Sequence, residues 1–249
     1  MIDYQKNSLI VLPHLDDEFA LIPIIKKFTS ISNKNLTFIY CAEKNNNENL
    51  KKIRREENKK ALDTLDCQKG QVIYLNDFFP VDDLELIDSS SEIYYFIKSF
   101  LNKNKFKQII TLSFEGGHPD HDSLALIINK ISDRDKSFNI FFVPAYNSRR
   151  TFMIPVSVFR PLKSQLQFFT KENFQSFFWV DALKIAIIYK SERLAFIKLL
   201  PFILFKLFFS KSIYISHLIQ VESVDWEESL SLRRYSVKWH TIIKKINNL

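Results

Sequence analysis

Five short apolar runs set the rhythm of the first 146 positions. SLIVLP (8–13), LTFIYCAE (36–43), QVIYLND (71–77), KQIITLSF (107–114) and FNIFFVPAY (138–146) are rich in aliphatic, β-branched and aromatic side chains. Runs of this length and composition predict strands buried on both faces. Segments with helical spacing separate them. Residues 18–29 predict a helix that Pro23 either kinks or delays. Residues 49–66 are full of helix formers, and the polar NNNEN (45–49) before them offers a cap. Residues 89–103 open on serines and continue as an amphipathic helix. Residues 120–132 carry acids in the first turn, as the helix dipole prefers. Strands alternating with helices predict an α/β protein whose mostly parallel sheet is covered on both faces. Beyond residue 147 the alternation blurs. VSVFRPL (156–162) suggests a further strand and FFWVDALKIAIIYKSE (177–192) a helix. No repeat or linker divides the 249 residues, so 1–249 is read as one domain that 147–249 completes.

Composition adjusts this picture in few places. The chain is 46% hydrophobic and 25% charged, ordinary for a soluble globular protein. Its formal charge of +7 favours anionic partners without selecting phosphate, nucleic acid or a membrane surface. It has three glycines, where average usage would give roughly 17. Two of them, Gly116 and Gly117, are adjacent, which marks a spot needing backbone freedom. So few glycines leave no Gly-rich dinucleotide fingerprint. Cys41 and Cys67 lie far apart in apolar-periodic segments and read as buried free thiols. The N-terminus does not read as a signal peptide, because its apolar run is short and soon followed by charge.

Two polar clusters stand where strands end. His14-Leu15-Asp16-Asp17-Glu18 follows the first strand, and Gly116-Gly117-His118-Pro119-Asp120-His121-Asp122 follows the fourth. In an open α/β sheet the carboxyl ends of the strands form one ligand-binding rim. His14 and Asp17 are three apart across a strand-to-helix turn, and His121 offers a third ligand. Two imidazoles, one carboxylate and a place for water form a catalytic zinc set. Asp16 would stay unligated as general base. A protonated His118 would stabilise an oxyanion. Asp120 would orient His118 or a ligand histidine. His217 and His240 lack such acidic neighbours and read as structural or surface residues.

PHLDDE and EGGHPDHD resemble the two signatures of the LmbE-like, or PIG-L, zinc-dependent de-N-acetylases. Leu15 stands where the family usually has proline, a change in turn stiffness more than in chemistry. The resemblance covers residues 8–146, with KIAIIYKSE (184–192) similar to a family helix near the site. It implies a Rossmann-like three-layer α/β/α sandwich and one zinc per chain on His14, Asp17 and His121. Asp16 is implied as base and His118 as oxyanion stabiliser. The implied reaction removes an N-acetyl group from an amino sugar or sugar conjugate in glycan or glycolipid biosynthesis and releases acetate. Arg54, in a pattern like the family's Arg-x-x-Glu, becomes a substrate-contact candidate. A tyrosine that some members place before the second signature is replaced here by Gly116. Iron or manganese also suit such donors.

RLAFIKLLPFILFKLFFSK (193–211) is strongly apolar but interrupted by Lys198, Pro201 and Lys206, and it is short for a membrane span. It reads as a core or dimer-interface helix, or as a basic apolar helix at a membrane interface. The second reading would suit a lipid-linked sugar and a cytoplasmic protein peripheral to the membrane. No nucleic-acid partner is expected on the enzyme reading. Two alternatives stay open: a metal-dependent hydrolase of another bond, such as a phosphoester, and a basic, non-enzymatic nucleic-acid or membrane binder.

Overall fold

The computed structural model describes residues 1–31, 36–44, 47–135, 137–147, 157–174, 178–209, 212–219 and 239–249. Five strands, β1 (Ser8–Leu12), β2 (Leu36–Tyr40), β3 (Gln71–Tyr74), β4 (Gln108–Leu112) and β5 (Asn139–Val143), form one sheet in the order β3-β2-β1-β4-β5. Every neighbouring pair is parallel, with Ile10 opposite both Phe38 and Ile110. The chain winds outward from β1 to β3, then returns to lay β4 along the free edge of β1. The order therefore reverses between β1 and β4, where a crevice opens at the carboxyl ends of the strands.

Alternate residues on each strand face opposite layers. Leu9, Val11, Ile109 and Phe142 pack against α3 (Ser90–Lys103), α4 (Pro119–Arg134) and α7 (Trp239–Asn247). Ile10, Leu12, Phe38 and Ile110 pack against α1 (Ile22–Ile31), α2 (Glu48–Thr64), α5 (Trp179–Ile188) and α6 (Arg193–Phe209). This is the three-layer α/β/α arrangement that the alternation predicts. Both cysteines are buried and free.

The elements depart from the sequence reading where local chemistry competes with the pattern. The helix expected at 18–29 begins late. A 3-10 turn at Asp17–Leu21 precedes α1. Pro23 sits in the first turn of α1, where its missing N–H has no helical partner to lose. The strand expected at 71–77 ends at Tyr74 and passes into a 3-10 turn at Leu75–Asp77. Of the strand expected at 156–162, Ser157–Val158 (β7) pairs antiparallel with Tyr146–Asn147 (β6), and residue 156 lies outside the described residues. Thr170–Asn173 (β8) and Ser212–Ile215 (β9) form a further antiparallel pair. Ser216 then exchanges backbone hydrogen bonds with Phe142 of β5 at 2.7 and 3.0 Å, tying the C-terminal part to the sheet.

Among the described residues no helix is long and apolar enough to cross a membrane. The segment read as 193–211 is helical over α6, and residues 210 and 211 lie outside the described residues. One side of α6 belongs to the core through Phe196, Ile203 and Leu207. Leu194, Ile197, Phe205, Phe208 and Phe209 are exposed.

Candidate active site

The first cluster follows β1 directly. Its turn is closed by the Asp17 N–H donating to the His14 carbonyl (3.4 Å) and the Phe19 N–H to the Asp16 carbonyl (3.2 Å). Beneath it lies a buried polar network. Asn58 Nδ2 of α2 donates to the Leu15 carbonyl at 2.8 Å, and the Tyr189 hydroxyl contacts both that carbonyl and the Glu18 carboxyl. The Tyr40 hydroxyl donates to Glu18 Oε2 at 3.2 Å. Burial holds the Glu18 pKa well above the carboxylic-acid range and favours its neutral form.

The second cluster follows β4. Asp122 Oδ1 accepts the backbone N–H groups of Glu115 (2.7 Å) and Gly116 (3.0 Å), folding the loop back on the helix start. Gly116 has a φ of 63°, where a side chain would be strained. At Gly117 a Cβ would sit 2.6 Å from the Tyr146 carbonyl oxygen, leaving no room for any other residue. This is the backbone freedom expected of the glycine pair. His118 is the N-cap of α4, its Nδ1 accepting from the Asp120 N–H at 3.3 Å. Such a cap satisfies one of the donors that a helix start leaves open. Pro119 occupies the first turn, and His121 falls within the same turn of this buried helix.

The two clusters meet, and five of the expected residues interlock. One carboxylate, Asp17, spans two imidazoles: Oδ2 lies 3.1 Å from His14 Nδ1 and Oδ1 lies 3.1 Å from His121 Nε2. Ligands held at zinc distances on a tetrahedron are separated by about 3.3 Å. The other nitrogen of His14, Nε2, lies 2.9 Å from Asp120 Oδ2. Of the two orientations open to it, Asp120 therefore holds a ligand-candidate histidine with its carboxylate and reaches His118 only through its backbone. Asp120 is itself fixed by the N–H groups of Leu84 (2.8 Å) and Leu86 (3.3 Å).

Among the described residues two triads bring metal-capable atoms within 4.8 Å of one another: His14, His118 and His121, and His14, Asp83 and Asp120. The first differs from the set expected from the sequence by exchanging Asp17 for His118. Chemistry favours Asp17. With His118 Nδ1 accepting an N–H, the proton of the neutral ring sits on Nε2, and no lone pair is left for a cation.

Electrostatics separates the histidines. Burial opposes charge on His14, but Asp120, Asp17 and Asp83 outweigh it and hold its pKa well above the usual imidazole value. Burial pushes His118 down, and the charges of His14 and His121 add to the effect, leaving a pKa of about 3. Burial thus favours a neutral Nε2–H donor at His118 over the protonated group that the sequence suggests. Burial would raise the Asp17 pKa, but His121 and His14 pull it below the ordinary range.

Asp16 stands at the mouth of the crevice with Arg54 Nη2 3.3 Å from its Oδ1. Arg54 is buried and also pairs with Glu192, which in turn takes Lys44 Nζ at 2.8 Å. Arg54 therefore lies behind the carboxylate of Asp16.

Sequence reasoning missed Asp83, whose Oδ1 lies 3.2 Å from His14 Nε2 and 4.0 Å from His118 Nε2. The acid pair Asp82-Asp83 in the loop beyond β3, on the same rim, was the available signal. It also missed Tyr146, whose ring lies edge-on to His121 at 5.6 Å and packs beside Gly117. His217 is structural: its Nδ1 meets the Ile140 carbonyl at 3.0 Å. The His240 side chain lies outside the described residues.

Residues 9–132 match the model of the PIG-L family, GlcNAc-PI de-N-acetylase, and over them the chain belongs to that family. No curated protein matches the chain by sequence. Solved structures share the fold at low identity. N,N′-diacetylchitobiose deacetylase from Pyrococcus horikoshii, complexed with its inhibitor MPG, is 17% identical with a TM-score of 0.57, covering 85% of this chain and 84% of that one. The A40926 pseudoaglycone deacetylase Dbv21 is 13% identical with a TM-score of 0.59, covering 88% of this chain and 100% of its own. A triple mutant of the deacetylase of teicoplanin biosynthesis is 13% identical with a TM-score of 0.60 and the same coverage.

Proposed function

We propose that the protein is a metal-dependent de-N-acetylase of an N-acetylated amino sugar or sugar conjugate, with 1–249 acting as one domain. The observation that carries this reading is the single carboxylate of Asp17 clasping both His14 and His121, with Asp16 beside it and turned to a different partner. The family match supports the reaction class, and the solved deacetylases of chitobiose and of glycopeptide antibiotics support a sugar-bearing substrate.

His14, Asp17 and His121 are the residues that would hold the ion, and their donor set suits zinc. When bound, such an ion supplies Lewis acidity and brings the pKa of water towards ~7. Asp120 and Asp83 hold the far nitrogen of His14 and so fix its ring. Asp16, kept in place by Arg54, takes a proton from the attacking water. The Nε2–H of His118 is donated to the acetamide oxygen as negative charge develops there. Protonated Asp16 then returns its proton to the departing nitrogen, and the products are acetate and the free amine. Arg54 contacts the sugar only through the Nη2 edge that it shares with Asp16.

The test is acetate release from N-acetylhexosamine conjugates, free and lipid-linked, joined to metal analysis. Asp16→Asn is expected to lower kcat/KM by about 10²–10⁴, the usual worth of a general base, with metal content unchanged. Undiminished turnover in that variant would sink the mechanism. A zinc-inhibited form of teicoplanin deacetylase is known, so zinc is titrated through one equivalent and into excess. One equivalent per chain is expected to restore a chelated sample. A place in glycan or glycolipid assembly, in the cytoplasm and peripheral to the membrane through α6, completes the proposal. The exposed Leu, Ile and Phe side chains of α6, interspersed with Arg193, Lys198 and Lys206, support it as an interfacial helix.

A further inference from the structure

We propose that the pocket between the Asp16–Asp17 carboxylates and the inner side of α6 is a subsite for the hydrocarbon tail of an N-acyl group longer than acetyl. The proposal rests on the deacylase reading and narrows its substrate class.

Asp16, Asp17 and Tyr146 line one part of the pocket, and the rest is walled almost wholly by carbon, from Val158, Phe159, Phe196, Leu199 and Ile203. A sugar ring brings hydroxyls that such walls cannot satisfy, and each unpaired hydroxyl would oppose binding. A hydrocarbon chain is the occupant these walls suit. The volume is about 70 Å³. A single water, close in size to a methyl group, needs about 10–15 Å³ on that measure. The methyl of an acetyl group would leave most of the space empty, whereas about four to six further carbons would fill it.

The two carboxylates in the lining decide which chain enters. Both carboxylates serve the carbonyl under attack. The acyl tail is bonded directly to that carbonyl carbon, whereas a sugar's aglycone lies several bonds away on the far side of the nitrogen. The wall is also held at a cost. Phe159 has a φ of 53°, a region that a bulky residue adopts only where its surroundings over-determine it. Its backbone N–H donates to the Ala145 carbonyl at 2.9 Å, which fixes two of the wall residues to each other. Across the pocket, Phe196 is braced edge-on by Phe19 at 5.0 Å and stacked on Tyr189 at 5.8 Å.

The bond change is that of the parent reaction. Water oxygen bonds to the acyl carbon and the C–N bond breaks. One water proton passes through Asp16 to the nitrogen, and the second leaves the new carboxyl group for the freed amine, so the products are the carboxylate and the ammonium.

The experiment compares N-acetyl, N-propionyl and N-butyryl glucosamine methyl glycosides on the full-length, metal-loaded protein. Release of the free amine is measured. Each added methylene is expected to raise kcat/KM by up to about fourfold, the value of one buried CH₂. Butyrate is expected to inhibit more strongly than acetate. In Leu199→Trp and Ala195→Phe, which fill the space, the butyryl-to-acetyl ratio of kcat/KM is expected to fall below one. Cleavage of the acetyl compound faster than both longer ones, with acetate the better inhibitor, would overturn the subsite and leave the deacetylase standing. Cleavage of none of the three would remove the deacylase reading and the subsite with it. An octyl glycoside of N-acetylglucosamine is the remaining arm. If it gains over the methyl glycoside and loses that gain in Leu199→Trp, the pocket serves the aglycone and the acyl assignment falls.

Discussion

Glu18 shows what a single buried acid does to the stability of this site. It is fully buried, and its pKa is held well above the ordinary 4.5. The folded chain keeps a proton that the unfolded chain releases once the pH passes 4.5. The stability tied to that proton is whole below this pH and is lost as the pH rises towards the folded value. Glu18→Gln keeps the shape and the donor without the titration. Its melting temperature is expected to exceed that of the parent at pH 8, with the gap closing towards pH 4. Thermal scans across that range check it, and a gap that widened on acidification would contradict the neutral assignment. The main residues of the site were legible because they are contiguous: PHLDDE and EGGHPDHD each place their groups within eight positions. Asp83 was not, since nothing in VDDLE tells which of two acids points inward. That choice is made by the turn at Leu84, whose φ of 71° turns its N–H onto Asp120.

At the scale of elements, α2 carries Arg54 and Asn58 to the site, so its start matters. Asn47 is its N-cap, with Oδ1 accepting from the Leu50 N–H at 3.0 Å. Asn47→Ala is expected to destabilise the protein by about 1 kcal/mol, read by urea unfolding with an unchanged slope. Nearly every helix and sheet strand through residue 143 was legible from apolar periodicity and caps, because burial against a common sheet enforces both. The departures are local. The 3-10 turns at Asp17–Leu21 and Leu75–Asp77 carry polar groups bonded away from the pattern, Asp17 to the site histidines, Asn76 to the Val81 carbonyl and Asp77 to Arg55, and hydropathy does not register that. The C-terminal third was less legible. Its short pairs β6–β7 and β8–β9 join segments whose partners are distant or interrupted, and a two-residue strand has no period to detect. Helix α6 is apolar on all sides, so its pattern alone cannot distinguish the side that lines the pocket from the side that is exposed.

The whole molecule combines a basic balance with an apolar, lysine-bearing surface on α6. Its exposed phenylalanines gather towards the C-terminal end, with Phe205, Phe208 and Phe209 each more than half exposed. An interfacial helix of this kind binds through both burial and charge. Co-sedimentation with phosphatidylglycerol vesicles is therefore expected to exceed that with phosphatidylcholine vesicles and to weaken with salt. Phe205→Ser combined with Phe209→Ser is expected to reduce it several-fold. Concentration-dependent dimerisation lost in the same variant, with no vesicle binding in the parent, would show that a second copy covers this face instead.

The position of β1 has a further consequence. It lies between β2 and β4, and β4 is translated almost a hundred residues after it. A nascent chain that has emerged only through α3 carries a finished β1–β2–β3 half. The side of β1 meant for β4 is then open, and its backbone donors and acceptors are ready to pair with any other extended segment. The strand that presents His14 is thus the most vulnerable to mispairing during synthesis, and the arrival of β4 closes that window and completes the histidine set together.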